Sequence, residues 1–156
     1  MQPIPTAITG QEHTGDLATP YQALAQFYCA FNTGDMDMMS KNWAQSDEIA
    51  MDNPLGGIKR GWAEIQLVYE RIFKGQAKVY VEYFDYTLHE TAAMFYAVGR
   101  ERGYFRLGDK EITLAIRTSR IYRKIDDLWQ QVHHHGSIED PQLLERYQAA
   151  VFGKSL

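Results

Sequence analysis

The spacing of apolar residues changes once along the chain, near residue 75. Before that point the period is helical. In "PYQALAQFYCAF", Leu24, Phe27, Tyr28 and Phe31 fall at i, i+3, i+4 and i+7, one face of a helix. Thr19-Pro20 starts it, an N-cap residue followed by proline at the first helical position. Gly34 ends it, and Asp35 caps a short second helix, "MDMMSKNWA". "DEIAMDNP" reads as a short strand closed by Pro54, and "LGGIKRG" as a loop. In "WAEIQLVYERIF", Ile65, Val68, Tyr69 and Ile72 form one stripe of a third helix, which Gly75 stops.

Beyond Gly75 apolar and polar residues alternate. Residues 78–90, 92–107, 111–125 and 128–137 read as strands rich in β-branched and aromatic side chains. They are long for globular strands, so bends or bulges are expected, with Gly99 and Gly103 as candidate positions. Pro141 opens a last helix. Residues 1–18, with Pro3, Pro5, Gly10 and Gly15, read as an extended arm, residues 19–137 as the domain, and residues 138–156 as a helical extension. Helices followed by an antiparallel meander make an α+β domain, its helices on one face of a curved sheet.

"KIDDLW" looks like a two-residue hairpin turn on Asp126-Asp127. Counting back from Ile125 opposite Leu128 sets Tyr122 against Gln131, Arg120 against His133 and Thr118 against His135. Residues two apart share a face. The reading therefore puts Thr118, Arg120, Tyr122, Trp129, Gln131, His133, His135 and Ser137 on one side, and Ile121, Val132 and His134 on the other. A polar face beneath covering helices makes a pocket. The run His133-His134-His135 is then divided, with His133 and His135 expected inside.

Composition narrows the partners. The net charge of −4 argues against a nucleic-acid binder. The start has no basic segment and no apolar run, and no stretch has the length of a membrane span. The single cysteine, Cys29, rules out an intrachain disulfide and fits a reducing compartment. A cytoplasmic protein without membrane or nucleic-acid partners is expected. Aromatics reach 13%, enough to line a cavity as well as fill a core; Trp43, Trp62, Tyr69 and Tyr96 are candidates for such a lining, with Tyr122 on the polar face.

Three segments resemble the SnoaL-like branch of the nuclear transport factor two-like superfamily: "FNTGDMDMM", "MDNPLGGIKRGWAEI" and "RIYRKIDDLWQQVHHHGS". The last is also similar to the association domain of calcium/calmodulin-dependent protein kinase II, where W…VH-x-H-x-S follows a strand bearing an arginine. The resemblance implies a cystatin-like fold, a curved antiparallel sheet wrapped around N-terminal helices into a cone with an internal cavity. It implies a homodimer through the sheet face, and it matches Arg100 and Arg120 to pocket arginines. It does not imply one function, because this fold hosts enzymes and non-catalytic modules alike.

Two arginines in one cavity would suit a small organic anion, since the guanidinium fork matches a carboxylate. Arg100, Arg120, His133 and His135 are the expected binding groups, with Tyr122, Trp43 and Tyr96 around them. A lyase- or isomerase-type reaction is the alternative, using His133 as general base or Asp52 as the carboxylate nearest the cavity mouth. A non-catalytic association module is a third reading. No cofactor is expected. His133 and His135 sit ~6.5–7 Å apart along a strand, close enough to chelate, yet the sequence shows no third ligand, so no metal is expected either.

Overall fold

The computed structural model describes residues 1–153. Helix α1 spans Pro20–Thr33; the Thr19 hydroxyl accepts from the Gln22 N–H, and Gly34 closes the helix in the left-handed conformation. Helix α2, Met36–Asn42, starts where the Asp35 carboxylate accepts from the Met38 N–H. Then come strands β1 (Ala50–Asp52) and β2 (Ile58–Arg60) and helix α3 (Gly61–Lys74). Strands β3 (Lys78–Glu90), β4 (Met94–Leu107), β5 (Lys110–Ile125) and β6 (Leu128–Ser137) follow, and helix α4 (Pro141–Phe152) comes last.

The expected meander of β3 to β6 is present, but the sheet has six strands, in the order β2-β1-β6-β5-β4-β3. The segment expected to be a plain loop contains β2. Gly56 and Gly57 adopt φ of 120° and 79°, a reversal that side chains resist, and β2 returns antiparallel to β1. Strand β1 then lies parallel to β6, with Ala50 beside His133 and Asp52 beside His135.

The Asp126-Asp127 hairpin forms as expected, with φ of 51° and 65°, the left-handed pair that a two-residue turn requires. One register shift falls at Gly99, which lies opposite the extra residue that β3 carries between Phe84 and Thr87; another falls in β6 between Gln131 and His133, and none falls at Gly103. Both glycines also allow close packing: a Cβ on Gly103 would collide with the Tyr80 carbonyl, and one on Gly99 with the Tyr83 and Tyr86 side chains. The N-terminal arm runs along the β3 edge, where the N–H groups of Ile4 and Ile8 donate to the carbonyls of Tyr86 and Tyr83 at 2.8 Å each. That pairing buries Ile8 and covers an edge that would otherwise expose open backbone groups. Among the described residues no helix is long and apolar enough to cross a membrane.

Candidate functional site

The inner face of the sheet follows the alternation of β4 and β5. Phe95, Ala97, Glu101 and Phe105 of β4 are buried, as are Leu114, Ile116, Thr118, Arg120 and Tyr122 of β5. Between this face and the helices lies a cavity of about 370 Å³. Phe27, Phe31, Val68, Tyr69, Leu114 and Ile116 give it an apolar wall. Its buried polar members are Glu101, Arg120 and His134; Arg71 and Gln76 stand exposed at its rim.

Arg120 is 2% exposed and pairs with Glu101 at 2.8 Å. It also donates from Nη1 to Gln131 Oε1 (2.8 Å) and from Nε to the Tyr28 hydroxyl (3.3 Å), with its guanidinium 3.6 Å from the Phe27 ring centroid. The Tyr28 hydroxyl in turn donates to Glu101 (2.7 Å). A second layer holds the first: Gln131 Nε2 and the Tyr122 hydroxyl both donate to Asn42 Oδ1, while Asn42 Nδ2 donates to the Ala23 carbonyl and Gln26 Oε1. The network ties α1 and α2 to the sheet and leaves Arg120 little freedom. Burial pulls the Arg120 pKa down, but facing Tyr28, Glu101 and Tyr69 outweigh it and the guanidinium stays charged. Burial pushes Tyr69 up to about 12, with Arg120 opposing. His134 is driven well below the ordinary imidazole range by burial and then by Arg120, which leaves the ring neutral. Its Nδ1 is buried without a hydrogen bond of standard geometry, while the Ser119 backbone near the ring partly opposes the shift.

The histidine faces are the reverse of the expectation. Tyr122 does pair with Gln131, but Ile121 pairs with His133, so Val132 is an extra residue in β6. One extra residue inverts the alternation beyond it. His134 therefore turns inward, opposite Arg120, while His133 and His135 turn outward. Asp52, one strand away, also faces outward rather than to the cavity mouth, and its Oδ2 lies 2.8 Å from His135 Nδ1. Arg100 is not in the cavity: alternation that buries Glu101 exposes its neighbour, and Arg100 pairs with Glu139 (2.6 Å) and Asp85 (3.5 Å) on the surface. Tyr96 is likewise outside, stacked on His89 at 4.4 Å. Trp43 and Tyr122 are fully buried in the core behind the cavity wall. Of the expected binding residues, Arg120 lines the cavity.

The SnoaL-like domain family matches residues 21–141. The chain belongs to that family. No curated protein matches it. Among solved structures, a calcium/calmodulin-dependent protein kinase type II association-domain candidate from Thiobacillus denitrificans is 26% identical, with a TM-score of 0.66 over 81% of this chain and all of that one. A dehydratase candidate of the NTF2-like family from Streptomyces avermitilis is 21% identical, with a TM-score of 0.64 over 74% of this chain and 89% of that one. A cystatin-like protein from Caulobacter vibrioides is 17% identical, with a TM-score of 0.61 over 83% and 93%. The last two likenesses concern the fold alone, and the cystatin-like α+β architecture is the one expected.

Within this SnoaL-like domain, sequence reasoning missed Glu101, His134 and Arg71. Glu101 was legible: counting in twos from Phe95 along β4 reaches it, and the same count excludes Arg100. His134 was not, because nothing local announces the Val132 bulge.

Proposed function

We propose that the cavity binds a small, largely apolar organic molecule through one carbonyl or carboxylate oxygen, with Arg120 as the donor. The observation that carries this reading is a charged Arg120 held rigid beside Glu101 and His134 in a cavity whose remaining wall is mainly apolar. Three of its five N–H groups are engaged by Tyr28, Gln131 and Glu101. The Tyr69 hydroxyl also faces the guanidinium, and the terminal N–H groups left on the cavity side would meet a ligand oxygen away from bulk water. The anion of the sequence reading thus depends on one inner arginine, already balanced by Glu101, with Arg71 as a second cation at the rim. A cavity of this size falls in the range of small-molecule sites.

Thermal-shift screening followed by calorimetry tests it, using matched panels of aromatic and branched aliphatic carboxylates and ketones. Saturable binding of either panel, lost when Val68→Phe fills the cavity, is the expected result. If neither panel binds, or Val68→Phe binds as well as wild type, the reading fails and the association module gains. A lyase- or isomerase-type reaction is favoured by one further observation, the buried Nδ1 of neutral His134 without a hydrogen bond of standard geometry. The base role passes to it from His133 and Asp52: with the Arg120 guanidinium polarising a carbonyl, the neutral imidazole beside it can accept the α-proton. Proton–deuterium exchange at the α-carbon of a bound ketone, seen by NMR and lost in His134→Gln, is the matching measurement.

A further inference from the structure

We propose that Asp52, His133 and His135 form a binding site for a divalent transition-metal ion on the outer face of the sheet. One carboxylate oxygen of Asp52 and one nitrogen of each imidazole lie within 4.8 Å of one another. The expectation against a metal rested on the lack of a third ligand. Parallel pairing of β1 with β6 supplies it, bringing Asp52 beside His135 from far away in the chain. The Val132 bulge supplies the rest by turning both outer histidines to the Asp52 side.

The ring orientation suits ligation. His133 Nδ1 lies 3.0 Å from the Ala50 carbonyl oxygen. A carbonyl oxygen only accepts, so Nδ1 carries the proton and Nε2 keeps its lone pair, an arrangement that orients metal-binding histidines. Ligands of a tetrahedral zinc-like ion, with bonds of about 2.0–2.1 Å, stand roughly 3.3 Å apart. The His135–Asp52 contact, now 2.8 Å, need widen only slightly as an ion replaces the proton between them. The remaining contraction falls to His135, whose side chain is 54% exposed and free to turn. Two imidazoles and one carboxylate favour zinc, cobalt, nickel or copper over magnesium or calcium. Three protein ligands leave at least one position to water. The nearby cations Arg100 and Arg117 both pair with Glu139, which limits their repulsion of an incoming ion. The site lies on the opposite sheet face from the cavity and does not depend on what the cavity binds.

The test is titration of tag-free protein with zinc by calorimetry and with cobalt by visible absorption. One equivalent per chain should bind saturably, and zinc should raise the unfolding temperature of wild type. Asp52→Asn, His133→Ala and His135→Ala should each lower affinity by at least ~10-fold, the lower bound seen even for outer-sphere partners, and should lose the thermal shift. His89→Ala, a histidine elsewhere on the sheet, should bind as wild type does. Absence of one-equivalent binding in wild type overturns the site. So does unchanged affinity in the three variants, or an equal loss in His89→Ala.

Discussion

Arg120 and Glu101 show what a single buried charge demands. Taken alone, either would carry a desolvation cost of several kcal/mol; together, with Tyr28 and Gln131 completing the hydrogen bonds, they stand in the core. Glu101→Gln removes the countercharge and leaves the guanidinium buried and unbalanced. The expected loss is ~3–5 kcal/mol of folding stability, the range for breaking a buried pair. The double replacement Arg120→Met with Glu101→Leu takes out both charges and should recover most of it. Urea unfolding of the two variants checks this, and a double variant no more stable than Glu101→Gln would mean that the pair contributes by shape rather than charge.

At the scale of an element, β6 carries the most consequence per residue. Its Val132 bulge separates a stretch in register with the hairpin turn from one shifted by a residue. On the near side Trp129 and Gln131 point inward; on the far side His134 and Gly136 do. Deleting Val132 should join the two stretches into one regular strand without changing which residues face the cavity. The deletion protein should fold cooperatively, with a modest loss from the partly buried Val132 side chain. Deleting Ser119 from the regular part of β5 should abolish folding, because every residue on one side of it would change face. Denaturant titrations of both proteins make the comparison, and an unfolded Val132 deletion would show that the bulge's added twist is itself required.

At the scale of the whole molecule, the outer face of the sheet presents an apolar strip. Met94, Tyr96 and Val98 of β4 are 39%, 40% and 45% exposed and follow one another on that face. Helices cover the inner face alone. We propose that a second copy covers the outer one, in a two-fold dimer that meets through β4. That strip lies two strands from β6 and its outer histidines. Light scattering should give a dimer at micromolar concentration, and Tyr96→Glu with Val98→Glu should give a folded monomer. A monomeric wild type would rule the dimer out.

Local chemistry decided much of this protein before any tertiary contact. The Thr19 and Asp35 caps, the closure of α1 at Gly34, the Asp126-Asp127 turn and the alternation along β5 are legible residue by residue, and they put Arg120 on the inner face. The family was legible too, from the order of its motifs. Legibility ended at Val132. Whether a strand keeps or breaks its alternation depends on the burial summed over its neighbours, and the β1 neighbour pairs with β6 from 83 residues away. The Val132 bulge turned His134 to the cavity, and the β1 pairing set Asp52 beside the outward His133 and His135. Tertiary structure also decided the balance of Arg120: its β4 partner across the sheet is Ala97, and the countercharge comes from Glu101, opposite Ile116 and further along the same inner face, which the long arginine side chain reaches.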